Sequence, residues 1–324
     1  MAAVGDRHGL TGTGLRALVT GGAGFIGSHV VDRLLADGQC VCVLDDLSTG
    51  SASNVPPDAR LQRLDICDLA SLREVFVDFR PEVVFHAAAQ TDVRRSIREP
   101  DFDARVNVLG GLNVVRAAVA VDARRIVYAS SAAVYGDPKR LPVSEADATR
   151  PISEYGASKL AVEHYLSAYT ARGLIESAVL RYGNVYGPRQ RADGEAGVVA
   201  IFTRQMLAGE PVTIFGDGTK TRDYVYVGDV VEATMRAAAG PSGVVANVAW
   251  AREVSDLELF REVAAATGYP NGPTHAADRR GDIVRICLDA AVAQRTWDWR
   301  PSVSLEDGVR RVVEAARAKL EPAR

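Results

Sequence analysis

Cysteine is scarce in this 324-residue chain, and the four present (Cys40, Cys42, Cys67, Cys287) show no paired zinc or redox spacing. They read as unpaired thiols of a reducing compartment, which points to the cytoplasm. The five histidines are scattered, with no pair at helical spacing, and this argues against a metal site. Long apolar runs are missing as well. A stretch such as "GVVAIF" (Gly197–Phe202) falls far short of the ~20 residues that a bilayer-spanning helix needs. Neither sign of charge dominates: 38 Lys and Arg against 41 Asp and Glu leave a formal charge of −3, so no basic stripe is available for nucleic acid or an acidic membrane. Met1–Gly14 lacks the apolar core of a secretory leader and reads as a loose polar tail. No internal repeat or low-complexity linker breaks the chain.

What is present is a globular composition, 47% hydrophobic and 24% charged, on a chain long enough for one large α/β domain or two joined ones. Short apolar runs recur at "RALVT" (Arg16–Thr20), "VCVLD" (Val41–Asp45), "EVVFHA" (Glu82–Ala87), "RIVYAS" (Arg125–Ser130) and "ESAVLRY" (Glu176–Tyr182). A weaker run, "ARLQRLD", ends at Asp65. Between them, Ile26, Val30 and Leu34, and again Leu72, Val75, Phe76 and Phe79, keep helical spacing. Strand–helix alternation with nearly continuous apolar strands predicts a Rossmann-type doubly wound parallel sheet covered on both faces. After Tyr182 the alternation lapses. A strand-like "DYVYV" (Asp223–Val227) and a helix-like Asp229–Ala239 follow, and Glu253–Ala323 reads as two helices around a loop containing "RRGD". The expected division is a sheet domain of residues 15–181 plus about 223–249, and a smaller mixed α/β unit of 182–222 plus about 250–324, with a shared cleft.

The first strand runs directly into "VTGGAGFIGSH" (Val19–His29), where Gly21, Gly24 and Gly27 form G-x-x-G-x-x-G. Such glycines permit a tight turn and a bare backbone, so that a pyrophosphate meets the N–H groups at a helix start, here around Phe25 and Ile26. Asp45 ends the next strand, 18 residues past Gly27, with Asp46 beside it. A carboxylate there accepts hydrogen bonds from an adenosine ribose and repels a 2′-phosphate, so NAD is expected rather than NADP. Asp65 and Ile66 would flank the adenine by the same logic.

"SEYGASKLAVEHY" (Ser153–Tyr165) sets Tyr155 and Lys159 on one face at the start of a helix. "YASSAAVYG" (Tyr128–Gly136) ends a strand, which brings Ser130 and Ser131 to the same edge. A phenol that acts as base near neutral pH must lose its proton far below the usual Tyr range, and nearby cations accomplish this. Lys159 and an oxidised nicotinamide ring are the expected cations, with Ser131 holding a substrate hydroxyl.

With its G-x-x-G-x-x-G turn, Ser131 and Y-x-x-x-K, the chain from Arg16 onward resembles the extended short-chain dehydrogenase/reductase family. "HAAAQTDVRRS" (His86–Ser96), Asn107, "RYGNVYGPRQ" (Arg181–Gln190), "IFGDGTKTRDYVYVGDV" (Ile214–Val230) and "RRGD" (Arg279–Asp282) are similar to nucleotide-sugar 4-epimerases of the UDP-glucose 4-epimerase type. The resemblance implies that Ala87, Ala88, Ala89 and Asn107 line the cofactor. It implies that Asn184, Arg222 and Arg279 hold a pyrophosphate, that Val198, Thr213 and Phe215 line a uracil, and that Arg191 matches an Arg that contacts the substrate carboxylate in UDP-glucuronate 4-epimerases. It also implies a homodimer formed through Asp101–Ala118 and Tyr155–Ala171. Related dehydratases carry Asp-Glu after the strand-end Ser or Thr, where this chain has Ala132 and Ala133, so 4-epimerisation is the implied reaction. Gly183, Arg280 and Ile286 depart from the family pattern. Ile286 stands where a Tyr in some relatives excludes N-acetylated sugars, which admits UDP-GlcNAc; UDP-glucose/UDP-galactose leads, with UDP-glucuronate or the N-acetyl sugars behind.

Overall fold

Nearly unbroken apolar runs can be buried on both faces only in the middle of a layered structure, and that is where they lie. The computed structural model describes residues 14–192, 197–278 and 283–320. The first half alternates β1 (Arg16–Thr20), α1 (Phe25–Ala36), β2 (Cys40–Asp45), β3 (Arg60–Arg63), α2 (Leu69–Phe79) and β4 (Val83–His86). Next come two short helices, α3 (Val93–Arg98) and α4 (Pro100–Asp103), then a π-helical segment Ala104–Gly110 that continues into α5 (Gly111–Ala120). β5 (Arg125–Ser131), α6 (Glu154–Ala171) and β6 (Glu176–Tyr182) complete the regular part.

The second half is irregular. It contains β7 (Asn184–Tyr186), α7 (Val198–Leu207), β8 (Thr213–Phe215), β9 (Thr221–Arg222), β10 (Tyr224–Tyr226) and α8 (Val227–Ala239). It ends with β11 (Val244–Val248), β12 (Val254–Ser255), α9 (Asp256–Thr267), β13 (Thr274–Ala276), α10 (Ala291–Trp297) and α11 (Leu305–Leu320). Three helices therefore occupy the described C-terminal region, not the expected two. α10 is only seven residues long and closes at Asp298 with φ +50°, too short to show a helical period in the sequence.

Seven strands form one sheet in the order β11-β6-β5-β4-β1-β2-β3, every pair parallel. Strand order reverses between β1 and β4, which opens a crevice at their carboxyl ends. One sheet face packs on α1, α8 and α10 through residues such as Val31, Leu34, Val230 and Trp297. The other packs on α2, α5 and α6 through Leu72, Phe76, Val114, Val162 and Leu166. The run at Asp223–Val227 pairs only with β7, so it stands outside the main sheet. A separate core joins α7, α9 and α11 around Phe202, Phe260 and Val312. No helix among the described residues is long and apolar enough to cross a membrane.

Candidate active site

The turn after β1 is built by close approach. Gly21 has φ +70°, and a Cβ there would lie 2.6 Å from the Ala88 nitrogen. A Cβ on Gly27 would fall 2.1 Å from the Gly21 carbonyl oxygen, so only glycine lets α1 begin against the turn. α1 starts at Phe25 with no side-chain cap and no acid in its first turn, which leaves backbone N–H groups and the positive end of the helix dipole facing the crevice. A glycine-bare, uncapped helix start at the strand switch point fits the pyrophosphate of a dinucleotide.

Asp45 is buried at the end of β2. Its Oδ2 accepts from the Ala23 N–H (2.9 Å) and its Oδ1 from the Leu47 N–H (2.9 Å), so the carboxylate fixes the glycine turn and keeps further lone pairs for a ribose. Burial pushes it above the usual carboxylate range, against those hydrogen bonds. Asp46 accepts from both the nitrogen and the hydroxyl of Ser48, a local turn. Asp65 accepts from the Cys67 N–H, and Ile66 is buried beside it. Ala87, Ala88 and Ala89 are half-buried small residues leading out of β4. Asn107 is placed differently from a ligand contact. Its amide donates to the Gln90 carbonyl and to Asp103, and accepts from the Gln90 N–H, so the whole group ties down the loop after β4.

Ser131, Tyr155 and Lys159 meet at the end of β5. Tyr155 lies against Ser131, whose Oγ accepts from the Ala133 N–H at 3.1 Å. Ser153 caps α6 by accepting from the Gly156 N–H, which fixes where Tyr155 starts the helix. The Lys159 ammonium donates to the Ala129 carbonyl (2.8 Å) and lies 5.0 Å from the Tyr128 ring centroid and 5.8 Å from that of Tyr155. Burial pushes the Tyr155 phenol up to about 12, partly offset by Ser131 and reinforced by Asp103. That is opposite to the direction expected from the sequence: in the chain by itself desolvation is the largest effect on the phenol. Burial brings Lys159 down to about 8, while Asp103 and Glu163 act to keep it charged.

Two carboxylates in this layer escaped the sequence reading. Glu163, one turn past Lys159, accepts from Nε and Nη2 of Arg181 and from the Ser130 hydroxyl. Its spacing of four from Lys159 on a buried helix face was the available signal. Asp103, fully buried, accepts from Ser158, Asn107 and Gln90; its spacing of four from Asn107 was the only local hint.

On the second half, the exposed Asn184 donates its backbone N–H to the Asp223 carbonyl. Arg222, half-buried, donates to the Thr221 carbonyl. Arg191 is exposed and donates to the Thr49 carbonyl in the loop after β2, on the cofactor side of the molecule. Val198 opens α7, while Thr213 and Phe215 bound β8 and are half-buried. Arg279 lies outside the described residues. Ile286 is buried with Val134, Val143 and Leu288, and the half-buried Ala132 packs against that cluster. Among the described residues no cluster of His, Cys, Asp or Glu has the make-up of a metal site.

A reversing parallel sheet with this helix start, and a Ser–Tyr–Lys group on the adjoining strand and helix, defines a dinucleotide-dependent enzyme of the short-chain dehydrogenase/reductase superfamily. Residues 17–249 match the sequence profile of the NAD dependent epimerase/dehydratase family, and the chain belongs to that family. It is 45% identical to the UDP-glucose 4-epimerase of Mycolicibacterium smegmatis, over 94% of this chain and 99% of that protein. Among solved structures it is similar to the UDP-glucose 4-epimerase of Thermotoga maritima with UDP-glucose, at a TM-score of 0.93 and 42% identity, over 95% of this chain and 100% of that one. The Thermus thermophilus UDP-glucose 4-epimerase in complex with NAD gives a TM-score of 0.89 and 43% identity, over 94% of this chain and 99% of that one.

Proposed function

We propose that this enzyme inverts C4 of a UDP-sugar, UDP-glucose and UDP-galactose foremost, using NAD as a resident cofactor. The observation that carries the reading is the grouping of Ser131, Tyr155 and Lys159 at the end of β5, followed at once by Ala132 and Ala133. Ser131 holds the sugar 4-hydroxyl, Tyr155 takes its proton, and the Lys159 charge supports the phenolate. When bound, NAD supplies the acceptor, and then the donor, of the two electrons and hydrogen that leave and return to C4. Between those events the sugar is a 4-ketone. Return of hydrogen to its other face, with Tyr155 giving the proton back, yields the epimer with no net oxidation. Elimination of water would need a proton-transferring side chain after Ser131, and two alanines stand there. The similarity to enzymes described as UDP-glucose 4-epimerases, one of them holding UDP-glucose and another NAD, supports the same choice.

Asn184 and Arg222 on the described chain, with Arg279, are the proposed pyrophosphate holders, since a guanidinium fork bonds phosphate oxygens in pairs. Val198, Thr213 and Phe215 are the proposed uracil contacts, and Arg191 a sugar-side contact. The enzyme is further proposed to act in the cytoplasm as a homodimer. Leu109 (56% exposed) and Tyr165 (42% exposed) sit on the neighbouring π-helical segment and α6, where an apolar partner face would cover them.

The test is incubation with UDP-galactose and no added NAD, alongside UDP-GlcNAc and UDP-glucuronate, with products identified. UDP-glucose without net NADH is the expected result. Loss of water, or a stoichiometric demand for cofactor, overturns the assignment.

A further inference from the structure

The layer behind Tyr155 holds four charged side chains, and they do not pair at random. Glu163 and Arg181 form a bidentate ion pair, so their charges cancel locally. That leaves the Lys159 ammonium, 3% exposed, and the Asp103 carboxylate, 0% exposed. Asp103 has no salt-bridge partner among the described residues. Instead it accepts three hydrogen bonds: Ser158 Oγ at 2.6 Å, Asn107 Nδ2 at 2.8 Å and Gln90 Nε2 at 3.0 Å. Two amide N–H groups, which can only donate, converge on Oδ1, and the Ser158 hydroxyl meets Oδ2. Each donor comes from a different element. Gln90 lies in the loop after β4, Asn107 in the π-helical segment, and Ser158 on α6 between Tyr155 and Lys159.

We propose that Asp103 is a positioning residue for the reacting pair: its buried carboxylate keeps the Lys159 ammonium charged and ties the start of α6 to the loop that follows β4. A buried carboxylate without a nearby cation is expensive, and an apolar side chain would fill the space at less cost. The charge needs a beneficiary, and Lys159 is the one cation in the layer without a carboxylate bonded to it. The remaining groups facing Lys159 do not offset its burial. From β4, His86 is buried, bonded to Thr20 and pushed down to about 3 by burial and by Lys159 itself, so it is neutral. From β5, Tyr128 is pushed well above the usual range by burial. From α6, Tyr155 is also pushed up, while Glu163 is spent largely on Arg181. The negative charge of Asp103 acts on both members of the pair, supporting the protonated forms of Lys159 and Tyr155 alike.

The inference rests on reading Tyr155 and Lys159 as the reacting pair, and its test does not require turnover. The chain contains four lysines, Lys139, Lys159, Lys220 and Lys319, so protein labelled with [ε-13C]lysine gives four resolvable signals, with that of Lys159 assigned by Lys159→Met. In Asp103→Asn the Lys159 midpoint should move acid-ward by about one pH unit while the other three stay. Both limbs of the pH–turnover profile of the NAD-loaded enzyme should move in the same direction. Asp103→Glu should return the midpoint toward that of the parent. A purely structural role would scale turnover without moving midpoint or limbs, so an unmoved Lys159 midpoint in folded Asp103→Asn overturns the proposal. Should that variant not fold, the parent decides: its Asp103 carboxyl carbon, followed by 13C NMR, must carry the ionised shift throughout the pH range of turnover, and a protonated signal there overturns it. Failure of the substrate panel would reject epimerisation and leave the lysine titration standing.

Discussion

The Lys159 ammonium donates to the Ala129 carbonyl at 2.8 Å and keeps 5.8 Å from the centroid of the Tyr155 ring. Lys159 therefore influences the phenol through space rather than by a bond to it. Removing that charge in Lys159→Met should raise the pH at which Tyr155 ionises. The base is active only as phenolate, so the acid limb of the rate profile should move to higher pH. At neutral pH we expect a loss of roughly 10²–10⁴ in turnover, partly recovered in more alkaline buffer. A profile lowered uniformly across pH would show that Lys159 only binds cofactor.

Glu163 on α6 and Arg181 on β6 make a buried ion pair, with side-chain exposures of 5% and 7%. Glu163→Gln leaves the guanidinium, still tied to Tyr135, without its counter-charge. Breaking one side of such a pair should cost about 3–5 kcal/mol in urea unfolding. Replacing both partners, as Glu163→Gln with Arg181→Met, should recover much of that loss. A loss in the double variant equal to the sum of the losses in Glu163→Gln and Arg181→Met alone would mean that the pair itself carries no coupling.

Glycine substitutions separate folding from cofactor retention. A Cβ on Gly27 meets the Gly21 carbonyl at 2.1 Å, whereas one on Gly24 meets the same atom at a tolerable 3.2 Å. Gly27→Ala should lower the thermal midpoint and also abolish the NAD content of purified protein. Gly24→Ala should keep the midpoint of the NAD-free parent and lose NAD, because its methyl group protrudes where a pyrophosphate approaches. NAD released by heat denaturation and quantified against protein would check both.

The sheet was legible because its strands are apolar on both faces and bounded by turns: the runs Arg16–Thr20 and Glu176–Tyr182 are β1 and β6 to the residue. Val244–Val248 is as apolar but was not singled out as a strand, and its partner, β6, lies some sixty residues earlier in the chain. The glycine turn and the Tyr–Lys helix could be found because their geometry depends on local spacing. Asp103 could not be read in this way. Its bond to Ser158 joins residues 55 apart, and no periodicity announces a contact made by tertiary packing. The direction of the Tyr155 shift was missed for a related reason: spacing shows a neighbouring cation, whereas burial, the larger effect, is a property of the folded chain.

Asp223 supplies a pH dependence of stability. Its carboxylate, fully buried, accepts from the N–H groups of Trp250, Ala251 and Leu288, joining the start of β10 to two distant loops. Burial nevertheless pushes it up to about 6. An acid whose folded-state pKa lies above its unfolded value binds its proton more tightly when folded, so its contribution to stability falls as pH rises between the two values. For Asp223 that window runs from the ordinary Asp range, near 3.8, to about 6, with a plateau above. Asp223→Asn should remove this component of the slope in urea unfolding measured across that window. It should also lower stability at neutral pH by about 1–3 kcal/mol, because one amide oxygen cannot serve three N–H donors that two carboxylate oxygens now share. An unchanged slope in the variant would mean that another group sets the pH dependence, and that the three hydrogen bonds hold Asp223 ionised despite its burial.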